Sequence, residues 1–196
     1  MRHTADIVPL EQAAGVYVER GVQEAFEAIP FAPILLGLLY VVLHFAGTAV
    51  ALVWVHRRHA ERFPLVRTTF GAATALTLVG YVLYPAAPPR LAKLGFSDTV
   101  TSSTGLDLSS DLLGALYKPF AAVPSLHFGY ALIVGGVLVA VAGHRAWRVA
   151  GALYPLAMLL IIVATGNHLL VDAALGGLVV VAVGSAPDMS SISRRI

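Results

Sequence analysis

The sequence predicts an all-α, polytopic membrane bundle, and three observations carry that reading. Hydrophobic residues make up 58% of the chain and charged residues 12%, with a mean hydropathy of +0.79, which leaves too few polar side chains to cover a water-soluble domain. Apolar residues fall into runs, four or more of which are expected to reach the ~20 residues that cross a bilayer as a helix. Arginines gather in short segments between those runs, as expected of loops held on one side of a membrane. Helices follow because lipid offers no partner for an unpaired amide.

Positions 1–10 hold one arginine and no continuous apolar run, so neither a cleavable signal peptide nor a lipidation signal is expected. Leu10, Ala14, Val18, Val22 and Phe26 then form an i+4 stripe, with Glu11, Glu19, Arg20, Glu24 and Glu27 mostly elsewhere around the wheel. That pattern predicts one amphipathic helix over 10–29, lying in the membrane surface. Pro30 and Pro33 break it and open a first span over about 31–55. Further spans are expected over about 65–84, 125–142, 147–165 and 168–183, the last two forming a tight hairpin. Small pairs one turn apart, Ala173 with Gly177, Ala131 with Gly135 and Gly71 with Ala75, read as helix-packing seams. No internal repeat or second domain is visible, so 1–196 reads as one membrane domain with a bundle over 31–183.

Arg57, Arg58, Arg62 and Arg67 follow the first span, Arg145 and Arg148 precede the fourth, and Arg194 and Arg195 end the chain. These regions, the 184–196 tail included, are expected in the cytoplasm. The N-terminus, the loop over 85–124 and the turn at Gly166 and Asn167 are then extracytoplasmic. That loop is too long for a mere connector. It reads as a mobile cover, with a short amphipathic helix over 111–120 capped by Ser110.

Three polar clusters interrupt the apolar chain: YPAAPPR ending at Arg90, VPSLHFG containing His127, and GNHLLVD containing His168 and Asp172. Span counting puts all three at one bilayer face. Taken as the first turn of the last span, His168 and Asp172 stand at i and i+4, so the carboxylate can fix one imidazole tautomer and leave the other nitrogen basic. A polar helix end that caps and snorkels accounts for the pair alone equally well. It does not account for two histidines, an arginine and a carboxylate at one depth. Standing at a helix end, His168 is expected to be exposed.

Two histidines in different environments suit phosphoryl transfer through a covalent intermediate, one attacking phosphorus while the other protonates the departing oxygen. Arg90 supplies a fixed charge that grips two phosphoryl oxygens. Pro124 suits a first helical position, and the amides near Ser125 and Leu126 make an anion site at a helix start. Asn167, beside His168, is a further phosphate-side candidate. Neither a cofactor nor a metal is expected, and Walker, serine-hydrolase and dinucleotide motifs do not occur. With no cysteine, thiolate chemistry and disulfides are excluded. His56 and His59, an HxxH pair in a basic loop, read as a solvated turn. His44, mid-span, must be hydrogen-bonded inside the bundle or line a polar cavity.

The three clusters resemble the three signature motifs of the type 2 phosphatidic acid phosphatase superfamily, in order and in spacing. That resemblance implies a helical bundle in which His168 becomes phosphohistidine, Asp172 orients it, His127 is the general acid, and Arg90 with Ser125 binds phosphate. Three positions depart from the phosphatase form. Leu83 stands where it has a lysine, Ile162 where it has an arginine, and Leu126 where its second motif has a glycine. In these respects the chain resembles the inositol phosphorylceramide synthase and sphingomyelin synthase branch, which moves phosphorylated headgroups between lipids. A phosphodiester carries about one negative charge and a monoester nearly two, so fewer cations suffice. Lys93 and Lys118 are possible substitutes for the missing cations, and with Tyr84 and His44 they complete the substrate-side candidates.

The expected function is lipid phosphotransfer or phosphate hydrolysis at the extracytoplasmic face, leaning to inositol phosphate-type headgroup transfer. Phosphatase action on phosphatidate or a polyprenyl phosphate is the alternative within that class, and a non-catalytic lipid-binding or channel-like protein is the rival outside it. A membrane lipid is the expected partner, and nucleic acid is not. Oligomeric state is not legible.

Overall fold

A computed structural model of the protein describes residues 2–105 and 122–185. Every regular element among them is helical: α1 (Arg2–Ala13), α2 (Glu19–Glu27), α3 (Ala32–Arg58), α4 (Phe63–Leu83), α5 (Thr99–Thr104), α6 (Leu126–Val141), α7 (Arg145–Ala164) and α8 (Leu170–Gly184). The expected helix over 111–120, Lys118 and most of the C-terminal tail lie outside the described residues.

Long apolar helices make this a membrane bundle. Helices α3, α4 and α7 have 27, 21 and 20 residues and the hydropathy of bilayer spans. Large apolar side chains such as Val50, Leu65, Val82, Leu156, Leu178 and Val181 are exposed on them and on α8, which suits a lipid solvent. Helices α6 and α8 are equally apolar but have only 16 and 15 residues. At 1.5 Å per residue they measure about 24 and 22 Å, short of the ~30 Å hydrocarbon layer. Both begin at the polar clusters, and the chain reaches them through turns buried within the protein.

The expected surface helix is instead two helices, broken around Gly15 at a left-handed φ of 69°. Asp6, Arg20, Glu24 and Glu27 stay exposed, but not every charge faces outward. Glu11 and Glu19 are fully buried and Gln23 nearly so, because their side chains reach into the bundle mouth rather than away from it. Thr4 donates to the Ala87 carbonyl at 2.7 Å, and Tyr84 donates to that of His3 at 3.0 Å. Helix α1 thus packs on α8, and α2 on α7 and α3, with Glu11 and Glu19 bonded to the start of α8.

Helix α3 runs on as one span but widens into a π-turn at Leu43–Gly47. Tyr154 of α7 donates to the Leu43 carbonyl there at 2.8 Å. Tight crossings occur where side chains vanish. A methyl group at Gly176 would run into the backbone of Ser125, so the glycine lets the start of α6 rest on α8. Gly135 and Gly151 serve the α6–α7 crossing in the same way. Gly71 faces open space and makes no such seam.

Candidate active site

The end of α7 sets the first half of the site. Thr165 ends that helix, Gly166 takes a left-handed φ of 66°, its amide bonds to the Val163 carbonyl at 2.9 Å, and the Asn167 amide bonds to that of Ile162 at 3.0 Å. This is a Schellman turn, for which glycine is the natural left-handed residue. A side chain at 166 would also strike the Gln23 amide. The turn delivers His168 ahead of α8, two residues before the helix begins, so the expected i, i+4 pairing within one helix does not apply. Asp172 still reaches it, because its Oδ2 turns back to accept the Leu169 amide at 2.9 Å and so lies 3.5 Å from His168 Nδ1. Oδ1 of Asp172 has no hydrogen-bond partner among the described residues. His168 is not exposed as expected: it is buried, with Asp172 and the His127 ring beside it.

Arg90 comes from the proline-rich exit of α4, where Pro89–Leu91 form a single 3₁₀ turn. Its amide bonds to the Gly166 carbonyl and its Nε to Asn167 Oδ1, both at 2.9 Å. Asn167 in turn gives its amide hydrogens to Thr165, at 2.9 Å to the hydroxyl and 3.3 Å to the carbonyl. In this geometry Asn167 aims Arg90. The guanidinium also meets Asp98 Oδ2 through Nη1 at 2.7 Å.

The third cluster starts α6. Ser125 caps the helix and accepts the Phe128 amide at 3.4 Å, so Pro124 precedes the cap rather than holding the first helical position. The Ser125 amide bonds to the Asp172 carbonyl at 2.9 Å, which locks α6 to the first turn of α8. His127, in the first turn, stands with its ring centre 5.5 Å from that of His168. Its ring stacks on Tyr40 at 4.3 Å and on His44 at 3.9 Å. His44 projects from the π-turn of α3, a type of bulge often found at functional sites, and its buried Nδ1 has no hydrogen-bond partner among the described residues.

Behind His168, carboxylates fill the start of α8. Glu19 accepts the Leu170 amide at 2.8 Å and Glu11 the Val171 amide at 2.7 Å. With Asp172 on Leu169, three acidic side chains satisfy amides that a helix start otherwise leaves open. Burial pushes Glu11 up to about 7 from its ordinary 4.5; the nearby Glu19 charge adds to this and the Val171 amide opposes it. An acid that holds its proton more tightly folded than unfolded costs stability as pH rises from about 4.5 to about 7. Glu11→Gln keeps the acceptor and removes the charge. In detergent its unfolding free energy should match wild type at pH 4 and exceed it at pH 8, by an amount on the order of 1 kcal/mol; parallel pH profiles would contradict this.

Of the other candidates, Tyr84 is partly buried and tied to α1, its ring 4.4 Å from His3. Lys93 is exposed at a left-handed φ of 58°. His56 and His59 make edge contacts with Phe63 and Trp54. Glu11, Glu19, Tyr40 and Asp98 have no signal in sequence spacing, because each reaches the site only through packing.

The three motifs, scattered over eighty residues of chain, thus close on one another through direct hydrogen bonds. The sequence profile of the PAP2 superfamily matches residues 5–186. The chain belongs to the PAP2 superfamily. No curated protein and no solved structure matches it. Membership gives a phosphatase or phosphotransferase kind of enzyme, and with the apolar helices it gives integration in the membrane.

Proposed function

We propose that this PAP2-superfamily protein transfers the phosphoryl part of a membrane lipid through a phosphohistidine, leaning to headgroup transfer between lipids. The convergence of His127, His168 and Arg90 supports this reading above all: the two rings lie 5.5 Å apart, and Arg90 is bonded to the residues that present His168. Asp172 faces Nδ1, which leaves Nε2 of His168 to attack phosphorus. The N–P bond forms as the P–O bond to the leaving alcohol breaks, and His127 gives that oxygen a proton. In the second half, His127 takes a proton from water or an acceptor alcohol, whose oxygen displaces His168. Arg90, Ser125 and the first amides of α6 stabilise charge on the equatorial oxygens.

Leu83 and Ile162 favour the transferase within this class, since an apolar side chain at each leaves fewer cations to answer the second charge of a monoester. Arginine placement supports an extracytoplasmic site and a cytoplasmic C-terminus. A lipid then enters sideways with its tail in the bilayer.

The deciding experiment incubates purified protein with labelled phosphatidylinositol or phosphatidate, with and without an acceptor alcohol. Phosphorylated-headgroup transfer is expected; no product from either lipid favours the non-catalytic bundle. Because arginine, amides and histidines carry the charge, turnover should survive EDTA. Complete loss in chelator, restored by one divalent ion, would overturn the metal-free mechanism.

A further inference from the structure

Asp98 occupies the place on Arg90 where a phosphate oxygen is expected. Its Oδ2 lies 2.7 Å from Nη1, with the arginine side chain only 3% exposed and the aspartate 32%. Surface ion pairs of this kind are often incidental. This one is held from several sides. Oδ1 of Asp98 accepts the Thr101 amide at 3.3 Å and caps α5. On one flank the Ser97 amide bonds to Gln23 Oε1 at 3.1 Å, and Gln23 Nε2 returns to the Ser97 carbonyl at 3.0 Å. On the other, the Thr99 hydroxyl meets Gln23 at 2.9 Å and Glu27 at 3.0 Å. Helix α2 therefore pins 97–99, and the carboxylate is a built part of the site.

Its effect is electrostatic. The positive charge of Arg90 is already answered by Asp98, while Asp172 and Glu19 lie buried around the start of α8. A phosphate monoester brings nearly two negative charges to this setting and a phosphodiester about one. Like charges at short range are strongly unfavourable where solvent screens little. Specificity of this sort is gained by repelling the wrong ligand as much as by holding the right one.

We propose that Asp98 is a specificity-determining residue that admits singly charged phosphodiesters and rejects doubly charged phosphate monoesters. This rests on the phosphoryl-transfer reading above. The test substitutes Asp98→Asn in the full chain, since asparagine also caps a helix, and follows kcat/KM for phosphatidylinositol with an acceptor alcohol and for phosphatidate. The ratio of monoester to diester should rise about tenfold or more once the repelling charge is gone. An unchanged ratio, or equal losses on both lipids, overturns the proposal.

A second measurement needs no turnover. Calorimetry compares a long-chain alkylphosphonate, at a pH where it is doubly ionised, with its monomethyl ester. Wild-type protein should bind the ester more tightly, and Asp98→Asn should narrow the gap. Equal or reversed affinities in wild type overturn the proposal even if the variant fails to fold. If wild type turns over neither lipid yet keeps the binding preference, the catalytic reading fails and the charge selection stands.

Discussion

His168→Ala should abolish turnover, with kcat falling roughly 10³-fold or more, because the group assigned to accept the phosphoryl unit from the leaving alcohol is gone. The ring is buried, only 3% exposed, so its removal leaves a space beside His127 and Asp172. Some loss of thermal stability is expected alongside the loss of activity. His168→Gln fills more of that space, and a variant that regains wild-type melting but not turnover separates chemistry from packing. Trapping is the direct readout: wild type quenched in alkaline detergent, where an N–P bond survives, should carry label from the phosphoryl group on histidine, and His168→Gln should carry none. Substantial turnover in either folded variant would sink the nucleophile assignment.

His127→Ala should slow the reaction by about 10² to 10⁴-fold, the usual contribution of a positioned general acid. The loss should depend on the substrate. An alkyl leaving group needs the proton that His127 supplies, whereas a nitrophenyl group departs without one, so the nitrophenyl ester should lose far less. Equal losses on both would show that the ring matters through packing, an outcome to which its stacking on Tyr40 and His44 gives physical content.

Much of the bundle was legible because hydropathy and helix periodicity are local. The spans expected over 31–55, 65–84 and 147–165 lie close to Ala32–Arg58, Phe63–Leu83 and Arg145–Ala164. The two shorter helices also start near the expected residues. The surface helix was read less well. Its i+4 stripe passes through Ala14 and Val18, which lie in the break between α1 and α2, and wheel geometry cannot show that Glu11 and Glu19 have amides to bond elsewhere. The helical spacing of His168 to Asp172 points to a place within the last helix. The Schellman turn and the backward reach of Asp172 bring the same two side chains together from outside the helix.

By itself the sequence determined that the chain is a helical membrane bundle, where its long apolar helices run, and that three polar clusters carry arginine, histidine and carboxylate at helix boundaries. These follow from composition and from runs of neighbouring residues, which act before any tertiary contact exists. Only the tertiary structure decided what surrounds those groups. Glu11 reaches Val171 across 160 residues and Glu19 reaches Leu170 across 151, so the start of α8 is filled by the protein's own carboxylates. Asp98 takes the arginine, although it stands only 8 residues from Arg90 in a loop with no periodic signal. Buried polar groups choose their partners by proximity and by the cost of leaving a charge or an amide unpaired, and proximity belongs to the folded chain.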